Sequence, residues 1–151
     1  MDQLIHPTYA SIFEKELLDE IEQTAVLKKI PQDTTLIEIG DYVKSMPLIL
    51  SGAIKVLRVD DNGDELLLYF LEPGDTCAMT MSCCLGHTKS EIKAVAELDT
   101  ELLMIPVQKM EEWTATYKSW RNFVFHSYHN RLQELLNTVD TIAFLYLEIR
   151  Q

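Results

Sequence analysis

The sequence predicts a mainly β domain, a roll or barrel of short strands with flanking helices, followed by one long helix. Three observations carry this. All five glycines lie between residues 40 and 86, at Gly40, Gly52, Gly63, Gly74 and Gly86, spaced by 12, 11, 11 and 12. Turn residues at that interval, separated by runs such as Thr35-Leu36-Ile37, Leu48-Ile49-Leu50 and Ile54-Lys55-Val56-Leu57, mark short strands in a rolled sheet. Before this zone apolar residues recur at helical spacing. After it they step by 4, 3, 4, 3, 4 and 3 along Tyr128, Leu132, Leu135, Val139, Ile142, Tyr146 and Ile149, the alternation of a helix–helix seam.

Taken in order, the first element is a helix from about Thr8 to Leu27. Phe13, Leu17, Leu18 and Ile21 form its dry face, with Glu14, Glu16, Asp19, Glu20 and Glu22 on the wet one, and Pro31 closes it. Strands then occupy about 30–106. Asp60-Asp61-Asn62-Gly63-Asp64 holds an Asn-Gly pair, the preferred centre of a tight hairpin, joining strand 53–59 to strand 65–71. Pro73-Gly74-Asp75 is a second turn, and a last strand from about Leu102 to Ile105 stops at Pro106. Val107 to Tyr117 suits a short helix, and Trp113, Tyr117, Trp120 and Phe123 follow at core-packing intervals. Residues 1–118 thus form the roll with its flanking helices, and 119–151 a long helix. That helix could pack on its own roll. However, a narrow seam over three heptads without Gly or Pro suits a second copy better, placing Tyr128, Leu132, Leu135, Val139, Ile142 and Tyr146 in a homodimer interface.

Charge and cysteine content bound the function. Thirteen Lys and Arg against 24 Asp and Glu leave a net charge of −11. Nucleic-acid affinity rests largely on Lys and Arg displacing counterions, so the chain itself is expected to bind no nucleic acid. No apolar run approaches the roughly 20 residues that span a bilayer, and residues 1–15 lack a signal-peptide layout. A cytoplasmic location and no membrane partner are expected. Cys77, Cys83 and Cys84 are an odd number crowded into eight residues, which fits a reducing compartment.

Several strings carry a family resemblance. Leu48-Ile49-Leu50-Ser51-Gly52-Ala53-Ile54-Lys55-Val56 looks like a strand–Gly–strand signature, and Leu71-Glu72-Pro73-Gly74-Asp75 like the turn entering a ligand cassette. Ala94-Val95-Ala96-Glu97 and Leu102-Leu103-Met104-Ile105-Pro106 look like closing strands. Arg131-Leu132-Gln133 and Ala143-Phe144-Leu145 look like a dimer helix and its hinge. In this order they resemble the effector domain of the Crp/Fnr transcription regulators, a branch of the cyclic-nucleotide-binding fold. The resemblance implies a double-stranded β-helix, or jelly roll, that senses a signal and dimerises. Family members continue past the hinge into a helix-turn-helix domain, whereas this chain stops at Gln151, six residues beyond Leu145. Contact with DNA is expected only through such a domain, which the chain does not carry.

The cassette departs from the family's cyclic-AMP pattern. A Gly-Glu pair, whose carboxylate holds the ribose hydroxyl, is replaced near Ala78 and Met79. The phosphate-binding Arg falls near Lys89 or Ser90, followed by Glu91. Losing the ribose acceptor forfeits a charge-assisted bond of roughly 1.5–3 kcal/mol, and a carboxylate about 4 Å from a phosphate costs on the order of a few kcal/mol. Lys89 is a flexible point charge without Arg's bidentate fork. The family's adenine-contacting polar pair aligns with Leu135 and Leu136. Binding of cyclic AMP is expected to be millimolar at best.

The effector is then an unknown small molecule or an oxidant, with Cys77, Met79, Cys83, Cys84, His87, Lys89, Ser90 and Glu91 as pocket or sensor candidates. The cysteines read as packed residues or as a thiol redox sensor, with Cys77–Cys83 the preferred disulfide because a vicinal Cys83–Cys84 ring is strained. A zinc site from Cys77, Cys83, Cys84 and His87 fits a tetrahedron poorly, and an iron–sulfur cluster normally takes four thiolates. Haem through His87 or a cysteine stays open, with no feature of the sequence in its favour. No metal, cofactor or catalytic residue is assigned. An oxygenase or isomerase on a similar roll needs a His-x-His pair with a carboxylate, and this roll holds His87 alone. A silent dimerising scaffold is the remaining reading. By family analogy, a signal at the 76–91 loop repacks it against Tyr128 to Leu136 and tilts the hinge at Ala143 to Leu145.

Overall fold

The computed structural model describes residues 7–150. Seven strands form two antiparallel sheets. One has three strands, β1 (Val26–Ile30), β7 (Thr100–Pro106) and β3 (Ser45–Ser51), with β7 in the middle. The other runs β2 (Thr35–Ile37), β6 (Lys93–Ala96), β4 (Ile54–Val59), β5 (Glu65–Leu71). Five helices flank them: α1 (Pro7–Ile12), α2 (Lys15–Thr24), α3 (Ala78–Gly86), α4 (Val107–Thr116) and α5 (Lys118–Arg150). The mainly β roll with flanking helices and a long C-terminal helix is therefore present. No helix among the described residues is long and apolar enough to cross a membrane.

β3 explains how the layers are joined. Met46, Leu48 and Leu50 point to one face and join a core with the helices. Ile49 points to the other and joins the inside of the roll. Both faces are buried, so this strand reads as an unbroken apolar run instead of an alternation. β7 does the same, with Leu103 and Ile105 toward the helices and Leu102 toward the roll. The helix-side core is closed by aromatics. Phe13 meets Phe123 edge-on at 5.0 Å, and Trp113 meets Trp120 at 5.3 Å. Trp120 and Phe123 belong to the first turns of α5, so this end of the long helix is anchored in the domain.

The amino-terminal helix is not continuous to Leu27. It breaks at Phe13-Glu14, and Val26 to Ile30 leave it as β1, paired with Met104 to Thr100 of β7. Pro31 therefore ends a strand. The break has a partner: the Glu14 carboxylate accepts bonds from the Ser119 backbone N–H (3.1 Å) and hydroxyl (2.8 Å) at the start of α5. These bonds hold the Glu14 carboxyl below its ordinary pKa.

The predicted hairpin is present between β4 and β5. Its closing pair is Asp60–Asp64 around Asp61-Asn62-Gly63, a three-residue loop with Gly63 at φ 86°, in place of a two-residue Asn-Gly turn. Asp60 decides this. Its carboxylate oxygen accepts the backbone N–H groups of both Asn62 and Asp64 at 2.9 Å, which stabilises the longer loop.

Candidate functional site

Residues 76–91, expected as a loop, contain the helix α3. The Cys77 sulfur caps it by accepting the Thr80 N–H at 3.4 Å. At the other end His87 adopts φ 53°, ψ 40°, and its N–H together with that of Thr88 returns to the carbonyls of Cys83 and Cys84, a left-handed helix stop. Thr80, Met81, Cys83 and Cys84 are all buried, so no polar face advertises the helix.

All three cysteines are free and buried, but they face different surroundings. Cys77 belongs to the roll core and lies 3.3 Å from the Tyr69 hydroxyl. Cys84 belongs to the helix-side core, where burial and the neighbouring thiols Cys83 and Cys77 push its pKa up to about 11. The Cys83 thiol reaches the Lys89 carbonyl at 3.5 Å. Six residues of helix separate the Cα atoms of Cys77 and Cys83 by about 9 Å, beyond the roughly 7 Å a disulfide can span. The preferred disulfide is thus excluded while α3 stays helical. Among the described residues no three His, Cys, Asp or Glu side chains converge as metal ligands, and the zinc grouping falls with that.

The remaining sensor candidates scatter. Met79 is half-buried against the roll core. His87 is exposed, its Nε2 4.0 Å from Glu111. Lys89 is exposed and lies 5.6 Å from the Tyr42 ring centre. Ser90 is buried, but its hydroxyl is spent on the Ile92 carbonyl at 2.8 Å. Glu91 is exposed. Met79 and Cys77 touch the roll core, whereas Lys89 and Glu91 line an open surface groove with Arg58 and His87.

Sequence reasoning missed the contact that joins roll and long helix. The Arg131 guanidinium of α5 lies over the Tyr69 ring, 3.8 Å from its centre. Both Glu134 oxygens, 2.9 and 2.8 Å away, hold its Nη1. Its side chain is only 18% exposed, while its α5 neighbours Asn130 and Leu132 are exposed. Burial and the adjacent Cys77 raise the Tyr69 pKa. One turn earlier, Tyr128 meets the Ser82 side chain of α3, and burial raises its pKa despite that hydrogen bond. Tyr128 therefore touches its own domain as well as lying on the seam. A polar residue beside an apolar seam position was the available signal for Arg131.

Beyond Arg131 the long helix leaves the roll. Leu132, Leu135, Val139, Ile142, Tyr146 and Ile149 are all exposed. The edge strand β5 also exposes Leu66, Leu67, Leu68 and Phe70, and Phe70 shares a cleft with Gln133, Glu134 and Asn137 of α5.

Residues 27–117 match the family model of the cyclic nucleotide-binding domain. Among solved structures, the chain is similar to the catabolite activator protein of Thermus thermophilus, with 24% identity and a TM-score of 0.65 over 88% of this chain and 60% of that one. It is similar to the c-di-GMP responsive global regulator CLP of Xanthomonas campestris (16%, TM-score 0.72, 87% and 66%). It also resembles a transcriptional regulator of the Crp/Fnr family from Eubacterium rectale (20%, TM-score 0.74, 91% and 63%). The chain thus spans less than two thirds of the length of these three proteins. No curated protein sequence matches it.

Proposed function

Since the chain belongs to the cyclic nucleotide-binding domain family, we propose that it is the signal-sensing and dimerising part of a Crp/Fnr-type transcription regulator whose cassette no longer takes cyclic AMP. The role is regulatory, and DNA is contacted through a further domain. The observation that carries this is the state of the cassette. Where cyclic-AMP binders place a ribose-holding carboxylate there is Met79. Lys89 lies over Tyr42, the Ser90 hydroxyl is turned to Ile92 and Glu91 adds a negative charge to the same groove. On the α5 side, Arg131 sits over the Tyr69 ring of β5.

Loss of that cassette leaves a sensor possible, because the structurally similar Xanthomonas regulator is described as responsive to a different nucleotide, c-di-GMP. The effector is a small molecule that acts on α3. Its signal travels by two contacts, Ser82 to Tyr128 and Tyr69 to Arg131, into α5 and on toward Ala143 to Leu145. The exposed seam and the β5 leucines are covered by a second copy. A thiol switch fits less well, because all three thiols are buried and α3 holds Cys77 and Cys83 too far apart to bridge.

Calorimetric titration of cyclic AMP into the reduced protein tests the reading. No heat is expected at concentrations up to about 100 μM. Tighter binding would restore the cyclic-AMP sensor and overturn the cassette argument.

A further inference from the structure

The short helix α1 is held at both ends by contacts far apart in sequence. Toward its start, the Tyr9 hydroxyl accepts the Gly74 N–H at 3.1 Å and donates to the Asp75 carbonyl at 3.3 Å. Just beyond its end, Glu14 exchanges three hydrogen bonds with Ser119 of α5. Its N–H donates to the Ser119 hydroxyl at 3.0 Å, and its carboxylate accepts the Ser119 N–H and hydroxyl. Only five positions separate the two anchors.

Neither anchor is loose. Tyr9 is 1% exposed, so its hydroxyl would be costly to strip of these partners. The turn it holds is braced from within. The Asp75 N–H donates to the Glu72 carbonyl at 2.9 Å, and the Glu72 N–H to an Asp75 carboxylate oxygen at 3.1 Å. Thr8 packs close above it, since a Cβ at Gly74 would lie 2.9 Å from the Thr8 methyl. The turn therefore moves as a unit, and it ends two residues before Cys77, the cap of α3. Between the anchors, Phe13 stacks on the Tyr9 ring at 5.9 Å and meets Trp120 and Phe123 of α5 at 5.8 and 5.0 Å. The Ser119 N–H is one of the first amides of α5, which have no acceptor within their own helix. Glu14 supplies one from outside.

We propose that α1 is a regulatory tie, coupling the turn that enters α3 to the first turn of α5. When the turn shifts with α3, Tyr9 carries α1 with it, Glu14 draws away from Ser119 and the start of the long helix loosens. A loosened start acts back on the turn in the same way. The two ends communicate because the segment between them is short and packed, leaving no slack loop to absorb a displacement. This route enters α5 at its start, whereas Tyr128 and Arg131 receive their contacts nine and twelve positions further on. Its use as a signal path rests on the reading that an effector acts on α3. The coupling itself is a property of the chain without effector.

Native-state amide exchange by NMR on the full chain reads both ends. Tyr9→Phe removes the hydroxyl and keeps the ring, and Glu14→Ala removes the carboxylate at an exposed position. Leu103, in the central strand β7, reports any general loss of stability. Relative to Leu103, Tyr9→Phe is expected to speed exchange at the Ser119 amide, and Glu14→Ala at the Gly74 amide, by at least about threefold each. Should Tyr9→Phe not fold, Glu14→Ala read at Gly74 decides alone. A far amide that keeps pace with Leu103 in either folded variant would overturn the tie, since coupling is reciprocal; two anchors that merely pack would each answer only to their own variant. The cyclic-AMP titration does not depend on this outcome, so the two readings fail separately.

Discussion

Alkylating the folded protein separates a sensing α3 from a packed one. Cys84 is 1% exposed, and burial with its neighbouring thiols lifts its pKa to about 11. At pH 7 that leaves about one molecule in ten thousand as thiolate, against about 3% for a free cysteine of pKa near 8.5. Its reaction with N-ethylmaleimide should therefore be some ~300-fold slower than free cysteine from ionisation alone, before the added cost of opening the core. The rate should climb about tenfold per pH unit up to that pKa. Peptide mass spectrometry after timed quenching reads each cysteine separately. Diamide in parallel should yield no Cys77–Cys83 disulfide while helical circular dichroism persists, since α3 holds those Cα atoms about 9 Å apart. A disulfide formed within minutes at pH 7 with the helix signal intact would refute the packed reading, as would Cys84 alkylating as fast as free cysteine.

Three further outcomes are expected. Leu135→Glu places a charge against its own copy in the proposed seam and should convert a dimer to a monomer on sizing; a persistent dimer would move the interface off α5. Gly52→Ala should destabilise by at least about 3 kcal/mol, because a Cβ would sit 2.5 Å from both the Asp99 carbonyl and the Thr100 hydroxyl at φ +89°; urea midpoints close to the parent's would contradict this. Alkali should also weaken the fold. Tyr9, Tyr69 and Cys84 all titrate above their ordinary range when folded, so the unfolded chain gives up its protons first. Stability is full below about pH 8.5 and is lost as pH rises toward 11 and above, and a constant urea midpoint from pH 7 to 10 would refute the assignment.

What the sequence determined by itself was local. Glycine spacing marks the turns that divide the strands, because positive φ at Gly40, Gly52, Gly63 and Gly74 suits a residue without a Cβ. The apolar spacing on α5 is equally legible, since Leu132, Leu135, Val139 and Ile142 stay uncovered by the rest of the described domain. The residues on which the proposed loss of cyclic-AMP binding rests, Ala78, Met79, Lys89, Ser90 and Glu91, are likewise plain in the sequence.

Tertiary structure decided the rest. The break between α1 and α2 follows from Glu14 meeting Ser119, 105 positions away, and β1 exists because β7 offers its edge. α3 escaped notice because two cores bury it and erase the polar face that periodicity requires. Arg131 stands out in the sequence as a polar residue beside an apolar stripe, but only the fold brings it to the Tyr69 ring. Spacing along the chain records which way a residue points within its own element, and only folding brings it to a partner on another.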